Sequence, residues 1–90
     1  MNQVYRALSD PTRRRILQLL RERDMTAGEL AGHFDLAKPT ISGHFAVLKE
    51  ADLIQGYRKG TTITYRLNVS VLEEALMALL EVFGLGDKHE

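Results

Sequence analysis

Cysteine is absent from this sequence of 90 residues, which removes disulfide frameworks, thiolate metal sites, thiol nucleophiles and cysteine redox sensing. No apolar run approaches the roughly 18 residues of a membrane span. The start, Met1-Asn2-Gln3-Val4-Tyr5-Arg6, has no signal-peptide core. A cytoplasmic protein without membrane insertion is expected. There is no repeat, low-complexity stretch or linker, so residues 1–90 read as a single domain with its core over about 3–83 and a frayed tail over 84–90. A chain this short buries only about 60% of its unfolded surface, which often calls for a partner subunit.

Catalytic chemistry is also missing. The sequence has no Gly-rich phosphate cradle and no evident Ser–His–Asp or paired-carboxylate arrangement; Glu73 and Glu74 are adjacent and would point apart on a helix. An enzyme is not expected. The nitrogen ligands are His33, His44 and His89, without the close pair typical of a zinc site of about four ligands. The expectation is therefore no metal and no cofactor.

Charge of one sign is not in excess overall, since 12 Lys and Arg balance 12 Asp and Glu. The distribution is uneven. Residues 1–24 carry six Arg against three acids, and residues 38–66 carry Lys38, Lys49, Arg58, Lys59 and Arg66 against Glu50 and Asp52. Residues 67–90 hold five acids and one Lys. A basic middle with an acidic end can present a positive face on a neutral chain.

Periodicity then gives the elements. Residues 2–8 read as a short helix with Val4, Tyr5 and Leu8 on one side. Asp10 suits an N-cap and Pro11 the first position of a second helix, on which Arg13, Ile16, Leu17 and Leu20 share a face to about Arg23. Thr26-Ala27-Gly28-Glu29 is a capping box flanked by Met25 and Leu30, opening a short helix to about Phe34. After the turn Asp35-Leu36-Ala37, Pro39 starts a fourth helix, with Ile41, Phe45 and Leu48 inward, ending near Asp52. Leu53–Tyr57 reads as a strand, Arg58-Lys59-Gly60 as a turn, and Thr62–Leu67 alternates as the returning strand. Leu72, Ala75, Leu76, Leu79, Leu80 and Phe83 then make the apolar stripe of a last helix, closed by Gly84 and Gly86.

The fold class expected is mainly α with a two-stranded β-wing, a winged helix-turn-helix of order α-α-α-α-β-β-α. Two short helices separated by a tight turn can place the second in a major groove, with a basic hairpin beside it.

Several segments carry a family resemblance. Asp10-Pro11-Thr12-Arg13-Arg14-Arg15-Ile16-Leu17-Gln18-Leu19-Leu20, Leu30-Ala31, Lys38-Pro39-Thr40-Ile41-Ser42-Gly43-His44-Phe45, Leu48-Lys49-Glu50-Ala51-Asp52-Leu53-Ile54, Arg58-Lys59-Gly60 and Tyr65-Arg66-Leu67 together resemble ArsR-type winged-helix repressors over residues 3–83. Within the family the chain is most similar to the short, cysteine-free sporulation-delay autorepressor type. The resemblance implies a homodimer built on the first and last helices, occupying a palindromic double-stranded DNA operator. Many relatives sense metals through Cys, or through Asp and His on the last helix; residues 69–83 offer only Glu73, Glu74 and Glu81. Three residues depart from the pattern: Ala37 in place of a Ser cap, Asp52 in place of a helix-ending Gly, and Gly43 inside the recognition helix.

The DNA-contact candidates are Lys38, Thr40, Ser42, Gly43 and His44 on the fourth helix, with Arg58 and Lys59 at the hairpin tip. The alternatives are a solvated helix face and charges that protect a strand edge; His44 could instead pack or cap locally. Arg13, Arg14 and Arg15 point three ways and cannot form one patch. Arg13 faces inward toward an acid, whereas Arg14 or Arg15 could reach phosphate. Val4, Tyr5, Leu8, Leu72, Leu76, Leu79, Leu80 and Phe83 are the expected dimer seam, the alternative being core. The competing functions are a winged-helix protein-interaction adaptor and a metal- or ligand-responsive repressor. Between inducers, the missing Cys and His pairs favour a protein partner or dosage control over a metal.

Overall fold

The computed structural model describes residues 2–86. Its elements run α1 (Asn2–Leu8), α2 (Pro11–Glu22), β1 (Met25–Thr26), α3 (Ala27–Ala31), α4 (Lys38–Glu50), β2 (Ile54–Lys59), β3 (Thr62–Leu67) and α5 (Val69–Val82). The expected winged helix-turn-helix order is present. The tail beyond Gly86, with His89, lies outside the described residues.

The helix starts follow local chemistry. Asp10 caps α2 by accepting the backbone N–H of Arg13 at 3.1 Å, with Pro11 in the first turn. That bond, assisted by the neighbouring Arg13 guanidinium, holds the Asp10 carboxyl below its usual range. On α3 the capping box closes both ways: Glu29 N–H donates to Thr26 Oγ1 at 3.0 Å, and Thr26 N–H donates to Glu29 Oε1 at 2.9 Å. Ala37 offers α4 no side-chain cap.

The core gathers Ile16, Leu17, Leu19 and Leu20 of α2, Leu30 of α3, Ile41, Phe45 and Leu48 of α4, and Leu53, Ile54 and Tyr65 of the sheet region. From α5 only Ala75 is fully buried. The last helix therefore leaves most of its apolar stripe outside this core.

Four details differ from the sequence expectation. The sheet has three strands in the order β1-β3-β2 rather than two, because Met25 and Thr26 pair antiparallel with Tyr65 and Thr64. Two residues are too few to display an alternating pattern. Secondly, Arg58 and Lys59 are strand rather than turn: they pair with Ile63 and Thr62, leaving Gly60-Thr61 as the loop. Gly60 takes the positive φ of 63° that a two-residue hairpin loop needs. Thirdly, α3 stops at Ala31, three residues early, where Gly32 forms its C-cap. Finally, residues 84 and 85 are not frayed. Gly84, at φ 67°, and Leu85 return their N–H groups to Glu81 O at 3.0 Å and Leu80 O at 2.7 Å, closing α5.

Candidate nucleic-acid interface

On α4, burial of Ile41, Phe45 and Leu48 against the core fixes the direction of every other side chain. Pro39, Ser42, Gly43, Ala46 and Glu50 recur at helical spacing on the opposite, exposed side. Gly43 is in the open: a Cβ built there would meet nothing within 4 Å. Lys38, Lys49 and Thr40 are exposed on the flanks of this row. The expected residues Lys38, Thr40, Ser42 and Gly43 are thus all accessible. Ala46 was missed by sequence reasoning; its signal is its place one turn beyond Ser42 and Gly43.

His44 is placed differently. Its side chain is only 17% exposed and turns toward the α1–α2 junction, with Nδ1 4.0 Å from Asp10 Oδ2. Arg13 Nη1 lies 3.2 Å from the same nitrogen. Thr40 and His44 sit one turn apart on the flank nearest that junction, so only one of the two projects outward. This ring position does not suit the expected base contact.

Arg13 also departs from expectation. Among the described residues its guanidinium reaches no carboxylate within ion-pair distance; it donates through Nε to Ala7 O at 2.9 Å and through Nη2 to Arg6 O at 3.1 Å. Arg14 Nη1 donates to Leu8 O at 2.9 Å. The two arginines together satisfy carbonyls that end α1. Arg15 is exposed and bonded to Gln18 at 3.2 Å.

The wing is built from cross-strand pairs. Opposed residues share a face of the hairpin, so Arg58 goes with Ile63 and Lys59 with Thr62, on opposite faces. The two cations therefore straddle the hairpin end rather than forming one patch. Tyr57 shares the Lys59 face, and its hydroxyl donates to Asp24 Oδ2 at 2.9 Å. Donating that proton raises the Tyr57 hydroxyl above its ordinary range. On the other face Tyr65 packs against Phe45 of α4, ring centroids 5.0 Å apart, so wing and α4 share one aromatic contact.

The expected dimer residues divide. Val4 is buried in the chain's own core, while Tyr5, Leu8 and Leu72 are half-buried against it. Tyr5 is also tied to α5 by its hydroxyl, which donates to Ala75 O at 3.1 Å. Leu76, Leu79, Leu80 and Phe83 are exposed, Leu76 at 48% and Phe83 at 70%. An apolar hollow of about 190 Å³ is lined by Leu8, Leu17, Leu67 and Leu72, with Arg14, Gln18 and Arg21. No effector pocket was legible in the sequence. Among the described residues no three His, Asp or Glu side chains come together as a metal site, and no helix is long and apolar enough to cross a membrane.

Known proteins share this arrangement. The model of the bacterial regulatory protein arsR family matches residues 10–55, from the cap of α2 to the start of β2. The transcriptional repressor SdpR of Bacillus subtilis (strain 168) is 49% identical over 87 residues, covering 97% of each chain. The crystal structure of an ArsR family transcriptional regulator matches with a TM-score of 0.86 at 30% identity, covering 98% of this chain and 97% of that one. A homodimeric winged helix-turn-helix DNA-binding domain from Mycobacterium bovis matches with a TM-score of 0.72 at 25% identity, covering 99% of this chain and 86% of that one.

Proposed function

The chain belongs to the arsR family of bacterial regulatory proteins, and from that premise we propose that it represses transcription as a homodimer occupying an inverted-repeat operator, without needing a metal. The observation that carries the reading is the exposed row of α4 beside a basic hairpin, in a chain nearly half identical to a transcriptional repressor along its whole length.

Apart from Glu50 at its C-terminal end, the row is made of small side chains, which lets the helix backbone sit close to the floor of a major groove about 12 Å wide. Ser42 and Thr40 supply hydroxyls to base edges, Gly43 supplies close approach, and the Ala46 methyl is suited to a thymine methyl. Lys38 and Lys49 flank the groove and meet phosphate. Arg58 and Lys59, on opposite faces of the wing, reach the backbone on either side of the adjacent minor groove. The exposed leucines of α5 and Phe83 join two copies, with α1 alongside, and set two recognition helices one DNA turn apart, about 34–36 Å.

Selection of random duplex DNA by metal-free protein at about physiological salt tests this reading. The expected result is an enriched inverted repeat with half-site centres about 10–10.5 bp apart or a multiple of it. No enrichment by folded protein would overturn the metal-free repressor and favour an adaptor or an effector-requiring regulator.

A further inference from the structure

Arg13 stands at the third position of α2, yet its side chain belongs to two other helices. Nε and Nη2 hold carbonyls in the last turn of α1, those of Ala7 and Arg6, at 2.9 and 3.1 Å. Nη1 lies 3.2 Å from His44 Nδ1 on α4, 31 residues away in sequence. A guanidinium only donates, so Nδ1 in this bond is the lone-pair nitrogen and the ring proton sits on Nε2. Asp10 Oδ2, at the cap of α2, lies 4.0 Å from Nδ1, beyond hydrogen-bond reach. On its far side α1 is bonded to α5 through the Tyr5 hydroxyl and Ala75 O at 3.1 Å. An unbroken run of contacts thus leads from α5 through α1, Arg13 and His44 to α4.

We propose that Arg13 is a positioning residue for DNA recognition: through His44 it fixes the angle of α4 against α1 and α5, and so the pitch at which a dimer presents its two recognition helices. The inference rests on reading α4 as the recognition helix. Its chemistry is specific to a guanidinium, whose planar fork supplies several fixed donors at once, where an ammonium acts as a point charge and cannot span all three acceptors.

Four variants separate positioning from phosphate contact and from folding: Arg13→Lys, His44→Leu, their double combination, and His44→Asn, whose amide oxygen can replace Nδ1 as an acceptor. Each is measured against the duplex selected by the wild type and a random duplex of equal length, over a series of salt concentrations. Arg13→Lys and His44→Leu should each weaken selected-duplex binding about tenfold, the scale of one charge-assisted hydrogen bond, and the double variant should be no weaker than either. Random-duplex affinity and the salt slope should hold, because no phosphate partner is lost, and His44→Asn should recover most of the affinity. Equal weakening on the selected and random duplexes in Arg13→Lys would mean that Arg13 grips phosphate itself, and additive losses would mean that the two residues act apart; either result overturns the proposal. Amide exchange of residues 38–50 in free protein gives a judgement independent of DNA. Faster exchange in both Arg13→Lys and His44→Leu supports the coupling, and exchange unchanged from wild type overturns it, even if wild-type protein selects no duplex and the DNA reading fails by itself.

Discussion

Two helices of this chain end by the same hydrogen-bond pattern on different residues. At the end of α5, Gly84 takes φ 67°. At the end of α4 the corresponding residue is Asp52, at φ 59°, with its N–H donating to Lys49 O at 2.9 Å and that of Leu53 to Leu48 O at 3.0 Å. Both are Schellman closures, which favour glycine because a Cβ crowds the backbone in the left-handed region. Asp tolerates that region better than most residues but still bears a cost. Asp52→Gly should therefore raise stability by about 0.5–1 kcal/mol, part of the relief being offset by the greater freedom of glycine in the unfolded chain. A urea midpoint that rises without a change in slope is the expected result. A lower midpoint would mean that the exposed Asp52 side chain stabilises the junction into β2 in a way its contacts do not reveal.

At the scale of elements, the wing and α4 are coupled through a glycine. Gly56 faces Tyr65 across the ladder. A Cβ at Gly56 would come within 3.0 Å of Tyr65 Cε1 and 3.4 Å of Ile63 Cγ2. The ring lies over the glycine and continues onto Phe45 of α4. Gly56→Val should push Tyr65 against Phe45 and cost about 1–3 kcal/mol, as overpacking in a well-filled core does. Thermal unfolding measures the cost, and near-ultraviolet circular dichroism should report the displaced ring; a melting temperature equal to wild type would show that the hairpin absorbs the side chain by bending away. The sequence announced most elements through caps and periodicity: Asp10-Pro11, the Thr26–Glu29 box, and the strict alternation of Thr62–Leu67. It could not announce β1, whose two residues are a strand only because the edge of β3 lies beside them. Nor could it place Arg58 and Lys59 on opposite faces, since that depends on where the hairpin turns, and the turn came two residues later than expected. The α4 segment was legible as a helix with an inward face. His44, weighed between base contact and local packing, lies against Arg13 and near Asp10, both more than 30 positions away, and no local pattern encodes that contact.

As a whole molecule the chain is drawn out, with extents of 50 × 23 × 20 Å and a radius of gyration of 14.4 Å, against about 12 Å for an ordinary domain of this length. Such a shape gives a short chain a small core, and α5 contributes only Ala75 to it in full. The faces of α5 differ in kind. Leu76, Leu79, Leu80 and Phe83 continue the apolar side, whereas Ser70, Glu73, Met77 and Glu81 occupy a polar side with one exposed methionine. If two copies join through the apolar side, a charge there should be fatal to assembly and a charge on the polar side harmless. Leu76→Glu is therefore expected to sediment as a folded monomer at concentrations where the wild type is a dimer, while Met77→Glu remains dimeric. Binding follows from this. A monomer engages one half-site, so Leu76→Glu should lose the avidity of the second, at least about 100-fold on an inverted repeat, while its affinity for a single half-site stays within the wild-type range. Dimers in Leu76→Glu, or monomers in Met77→Glu, would place the contact between copies elsewhere, and the spacing of the two recognition helices would then have to be derived from that other face.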